Sequence, residues 1–319
     1  ITAILQMING FNSYAINEAV YYYTPLIFII VYSQISDEQD VETILNYLFV
    51  LYIIAFFKNF AGQLTLANIK SISFANSYSP FESELAFVFL IFECFYLYMG
   101  KRKKAIISLI LCILSFKRIC MLVAISFFVL SKWLIQKKPV SKKMVFATVI
   151  IFVLLPTLTC VMLNDAFEAW FYQTFHITLY EATLSRSSRI EAVMNSGQIK
   201  YGLGSVTTYL TRYLNTMHGS NFASRSMHND LVQMYLECGI LGSIVFTYVY
   251  MKAASVNRMS FALICYVFFE CYFNHLFGAG CTHIWVLIYL MMSITGMTTR
   301  NGENDGEENG TNYSFYTDI

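Results

Sequence analysis

The stretch KRKKAIISLILCILSFKRICMLVAISFFVLSKWLIQKK (101–138) sets the architecture of this chain. Two basic clusters bracket it: Lys101-Arg102-Lys103-Lys104 at its start, and Lys132, Lys137-Lys138 and then Lys142-Lys143 at its end and just beyond. Loops rich in Lys and Arg stay in the cytoplasm, so both clusters are expected on one side of a membrane. Ala105 to Gln136 must then go out and return. Those 32 residues measure about 48 Å as helix, whereas two crossings of a hydrocarbon core need about 60 Å. The passage reads as a short hairpin whose tip, Lys117-Arg118, sits at or below the outer surface. Arginine at mid-membrane costs about 2.5–3.5 kcal/mol, so Arg118 has two readings. Either it serves function, or Lys117 and Arg118 cap a tight turn and reach lipid phosphates.

The rest of the chain agrees with a membrane setting. Of its 319 residues 57% are hydrophobic, 17% aromatic and only 13% charged; the mean hydropathy is +0.54. A water-facing domain carries about 25% charged residues. Apolar runs predict helices over 19–35, 43–61, 82–99, 104–116, 118–136, 144–163, 229–251, 259–278 and 281–298. The fold class expected is all-α, a polytopic helical membrane protein with a large extracytoplasmic loop. Residues 1–163 hold membrane helices, 164–228 the extracytoplasmic (periplasmic) segment, 229–298 the C-terminal membrane helices, and 299–319 a disordered acidic tail. The loop at Ser36-Asp37-Glu38-Gln39-Asp40 should be cytoplasmic by counting back, yet it has no Lys or Arg.

Most of the eight cysteines fall in apolar runs without paired spacing, which argues for packing rather than a disulfide frame or zinc site. The start lacks a basic region, so no cleavable signal is expected. Its first residue is Ile1, and further spans before it are an open expectation.

The polar stretch from Ser185 to Gly242 carries the candidate chemistry. Ahead of it, Trp170, Phe171, Tyr172 and Phe175 follow Asp165 and Glu168, a pattern that suits an amphipathic helix lying at the interface; stacking on carbohydrate is the alternative. Ser188 and Glu191 have capping-box spacing, which puts Arg189 in the first turn of a helix. A guanidinium fork beside unpaired helix amides can clamp a phosphate or diphosphate; Arg186 adds a second fork. The bland reading is a solvated, capped helix. Gly202-Leu203-Gly204 fits a tight reversal with glycine supplying positive φ, and lacks the context of a nucleotide-binding loop.

His228-Asn229-Asp230 precedes the next apolar helix, with Asn229 or Asp230 as its cap. The helix entrance favours a neutral imidazole at His228, able to accept a proton from a hydroxyl or to hydrogen-bond a phosphate oxygen. His275 and His283 are spare candidates near the last outer turn. His176 and His218 read as solvent-facing.

Three ordered elements between Ile106 and Gly242 resemble the O-antigen polymerase and O-antigen ligase superfamily of bacterial membrane glycosyltransferases. They are Ser115-Phe116-Lys117-Arg118 before an apolar helix, Arg189 followed by Gly202-Leu203-Gly204, and His228-Asn229 followed by Glu237-Cys238-Gly239 and Gly242. Family members often have Ser-x-Ser-Arg at the first element, whereas Lys117 stands here before Arg118. The resemblance implies a metal-independent, cofactor-free glycosyl transfer at the outer face of the bacterial inner membrane. The donor would be an oligosaccharide on undecaprenyl diphosphate, and the acceptor a sugar hydroxyl. Carried over by position, Arg118 and Arg189 hold the diphosphate and His228 assists the acceptor. Arg186, Lys117 and Arg225 are further substrate contacts. The expected surroundings are the lipid bilayer, a chain-length regulator and a flippase, with no nucleic acid.

Overall fold

A computed structural model describes residues 14–35, 38–63, 65–71, 82–136, 138–183, 186–197, 201–218 and 227–277, with Ile284 and Ile288. Arg225, His283, the span expected over 281–298 and the acidic tail lie outside the described residues. Every regular element among those described is a helix. In chain order they are α1 (Ala15–Ile35), α2 (Glu38–Phe60), α3 (Leu66–Lys70), α4 (Leu85–Tyr98), α5 (Arg102–Leu114), α6 (Arg118–Val129) and α7 (Ser131–Leu134). Then follow α8 (Lys142–Met162), α9 (Asp165–Phe175), α10 (Leu179–Ala182), α11 (Arg186–Asn195), α12 (Ser205–His218), α13 (Asp230–Ala254) and α14 (Arg258–Phe273). Three of them, over Gln39–Phe60, Lys142–Met162 and Asp230–Ala254, are long and apolar enough to cross a membrane.

The chain divides into two compact units. One holds residues 1–26, 141–253 and 264–282; the other holds 27–140, 254–263 and 283–319. At the heart of the second unit is α4, buried from Ala86 through Tyr98. A helix apolar on every side must be covered on every side, and α2, α5 and α6 all pack against it. Phe49 meets Tyr96 at 4.9 Å and Phe56 meets Phe89 at 5.6 Å, ring centre to ring centre.

The hairpin expected over Ala105–Gln136 is present and short. α5 and α6, at 13 and 12 residues, are about 20 and 18 Å long, and they reverse through Ser115-Phe116-Lys117. Phe116 takes the left-handed conformation there (φ 51°). Ser115 is buried; its carbonyl accepts the Ser83 N–H at 3.1 Å. Lys117 lies over the Phe87 ring, 4.4 Å from its centre. Arg118 opens α6 as an exposed residue.

The first basic cluster meets the start of α2. Lys101 pairs with Glu42 near the start of α2, and Lys104 Nζ donates to Asn46 Oδ1 at 2.7 Å. That places the first turns of α2 beside the Lys101–Lys104 cluster. Arg258 stacks on Trp133 and donates to Gln136 Oε1, while the Val140 N–H reaches the Ser255 carbonyl at 2.9 Å. Two cytoplasmic turns expected from charge alone are therefore in contact.

Candidate functional site

In the first unit, α11 and α12 pack against the start of α13. Their buried seam consists of Ile190, Val193, Val206, Leu210, Met227 and Val232, with Cys160 and Leu163 at the end of α8 and Tyr272 of α14 against it. The residues of 164–228 that the sequence assigns to a loop are thus largely helical. α8 begins at Lys142-Lys143 and has 21 residues, so this seam sits about 30 Å along α8 from those lysines.

Ahead of the seam, α9 buries none of its residues, and Trp170, Tyr172 and Phe175 are exposed. Asn164 caps it by accepting the Phe167 N–H at 3.0 Å. An amphipathic helix with its aromatic face bare matches the interfacial reading.

The helix carrying Arg189 differs from expectation at its start. α11 begins at Arg186, so Ser188 lies inside it and does not cap. Thr183 does that work, its Oγ1 accepting the Ser187 N–H at 3.1 Å. The capping box in this region is at Thr178 and Glu181. Arg186 and Arg189 both remain in the first turn, half-buried, so the polar end they form survives the shift. Burial draws both guanidinium groups below their ordinary value; Glu270 opposes this at Arg186, where the charge of Arg189 adds to it, and Tyr180 opposes it at Arg189.

Gly202-Leu203-Gly204 makes the expected reversal, with φ of 144° and 77° at its two glycines. What holds it was not legible in the sequence. Glu18 Oε2 accepts the Gly204 N–H at 2.9 Å, Glu237 Oε1 accepts the Val206 N–H at 3.0 Å, and Thr207 donates to Glu18. Two buried carboxyl groups from α1 and α13 therefore cap α12, where the helix dipole favours negative charge. Gln233 Nε2 bridges them at 3.0 and 3.3 Å. Farther along α13, Gly239 breaks the helical path (φ 68°, ψ −178°). This backbone region is almost closed to other residues. The Glu237 carbonyl ahead of the break accepts the Gly202 N–H at 2.7 Å. Gly242 is required for another reason: a Cβ there would lie 2.4 Å from the Cys238 Cβ.

His228 precedes α13 in a left-handed conformation (φ 55°). Asn229 is the cap, accepting the Val232 N–H at 3.0 Å. Burial, reinforced by the positive neighbours Arg189, His275 and Arg186, pushes the His228 pKa down to about 4; Asp230 opposes this. The imidazole is accordingly neutral at physiological pH, as expected from its place at a helix entrance. A histidine whose folded pKa lies below its ordinary 6.5 contributes stability above pH 6.5 that is lost as pH falls toward 4. The thermal midpoint of the wild type in detergent should drop across that window, and that of His228→Asn should drop less. Parallel curves for the two would remove His228 as the cause.

Opposite His228, Asp230 is buried and fully engaged. Its Oδ1 pairs with His275 Nδ1, and its Oδ2 accepts the Leu276 and Phe277 N–H groups at 2.7 and 2.9 Å. Beside it, Arg186 donates to Asn274 Oδ1 at 3.4 Å, and Asn274 donates to Glu270 Oε2 at 2.6 Å. Arg186, Arg189, His228, Asp230, Asn274 and His275 thus form one polar cluster from three distant stretches of chain. Lys117 and Arg118 belong to the other compact unit. Among the described residues no group of three or more metal-binding side chains occurs. Sequence reading passed over Glu270 and Asn274, which sit in an apolar run without a motif. Exposed His176 is solvent-facing as expected, closing α9 with φ 57°.

Comparison with protein-family models, with curated proteins and with solved structures finds no match for this chain.

Proposed function

We propose that this chain is a polytopic inner-membrane glycosyltransferase that polymerises lipid-linked repeat units of O-antigen, capsule or exopolysaccharide. The donor is glycan on undecaprenyl diphosphate, and the acceptor is a sugar hydroxyl of a second lipid-linked unit. The observation that carries this reading is the meeting of two half-buried guanidinium groups with a neutral imidazole at the end of α8 remote from Lys142-Lys143. The separation of about 30 Å equals the thickness of a hydrocarbon core. With the lysines in the cytoplasm, the cluster faces the outer side.

Chemically the arrangement suits departure of a diphosphate. Negative charge develops on the leaving group as the glycosidic bond breaks, and fixed guanidinium groups shielded from water stabilise it. Arg189 and Arg186 take that role, and neutral His228 hydrogen-bonds the acceptor. Exposed aromatics on α9 anchor this side at the lipid interface.

Deleting the gene and running the glycans on a gel tests the proposal. A single capped repeat unit in place of long chains is expected. Long polymer left on its lipid carrier would instead mark a ligase that transfers glycan to lipid A core. Accumulation of the unit in the cytoplasm would mark a flippase.

A further inference from the structure

The cluster contains a second histidine, and its setting differs from that of His228. Asp230 is 1% exposed at its side chain while His275 is 29% exposed. The carboxylate is therefore locked inside by two backbone amides, and the ring reaches from it toward the surface of the cluster. A carboxylate at Nδ1 fixes the tautomer: Nδ1 carries the hydrogen and Nε2 is left as the basic nitrogen. Asn274, adjacent in sequence, accepts a hydrogen bond from Arg186.

We infer that His275, backed by Asp230, is the base that takes the proton of the acceptor hydroxyl, with His228 as a neutral hydrogen-bonding partner. This rests on the glycosyl transfer proposed above. In the step, the acceptor oxygen bonds to the anomeric carbon and its proton passes to His275 Nε2. The bond from that carbon to the diphosphate oxygen breaks, and its electron pair departs with the diphosphate against Arg186 and Arg189. Asp230 stabilises the imidazolium that forms, as a buried carboxylate does behind a catalytic imidazole. His228 is poorly suited to the same task, since a base of pKa about 4 holds a proton weakly at neutral pH.

The charged and titratable groups facing His275 are Asp230 on α13, Glu18 on α1 and His228 before α13. Arg186 and Arg189 on α11 lie beyond them, and Glu270 is on α14, the helix that ends just before His275. Asp230 is in direct contact with the ring in the hydrogen-bonded pair described.

The test uses the full chain in nanodiscs with two probes: undecaprenyl diphosphate for binding, and the lipid-linked glycan fraction extracted from the deletion strain for turnover. His275→Gln should bind undecaprenyl diphosphate within about twofold of wild type, yet form polymer on the order of 10²–10⁴-fold more slowly. Asp230→Asn retains an acceptor for the Leu276 and Phe277 amides. Its amide nitrogen then faces His275 Nδ1, so the neutral ring carries its hydrogen on Nε2 and polymer formation should fall by about 10⁴-fold while undecaprenyl diphosphate is still bound, a split that a packing role would not produce. Polymer formed at wild-type rate by His275→Gln or by Asp230→Asn overturns the inference. So does loss of undecaprenyl diphosphate binding by His275→Gln, which would make the ring a structural support. A wild type that neither binds the probe nor forms polymer refutes the glycosyl-transfer proposal itself, a separate result.

Discussion

Arg189→Ala should abolish long polymer while the single-unit glycan continues to appear on the gel. The guanidinium is half-buried in the first turn of α11, where backbone amides and the helix dipole already favour an anion. Alanine removes the charge and both arms of the fork but preserves helix propensity, so α11 itself should persist through its Ile190 and Val193 contacts. Loss of a fixed group aimed at developing negative charge typically costs 10²–10³-fold in turnover, enough to erase a ladder of long chains. If the variant accumulates to wild-type levels and still yields normal long chains, no diphosphate is gripped by Arg189.

Asp230→Ala should be the most destabilising single change in the cluster, by about 3–5 kcal/mol. The carboxylate satisfies His275 and two backbone amides at once. Truncation strands all three donors away from water, and each buried unsatisfied group costs about 1–3 kcal/mol. It also detaches the segment after α14 from the start of α13. Thermal unfolding in detergent measures this directly. Asp230→Asn should unfold much closer to wild type, since an amide oxygen still accepts from Leu276 and Phe277. A midpoint for Asp230→Ala equal to that of wild type would mean that this junction carries no structural weight.

Much of this molecule can be read from local pattern. Apolar runs located α1, α2, α4, α8, α13 and α14 to within a few residues, because helix length and hydropathy are properties of contiguous chain. Charge clusters assigned Lys132 and Arg258 to one side, and the turns that carry them are in contact. Length arithmetic foretold that the hairpin with its tip at Lys117-Arg118 would be short. Asn229 as the α13 cap, and positive φ at Gly202 and Gly204, also follow from residue type and position. The start of α11 was misplaced because Thr183 and Ser188 are both competent caps, and only the packing of Ile190 and Val193 against α12 and α13 selects between them.

The sequence by itself determined a helical chain with membrane-length apolar runs, a basic side, and a polar segment bearing Arg186, Arg189 and His228. Tertiary structure alone decided which groups meet there. Glu18 lies 186 residues from the Gly204 amide that it caps, and Asp230 lies 45 residues from His275. No periodicity links such pairs, because a buried carboxylate is specified by the donors that surround it, and those donors are brought together only when distant helices pack.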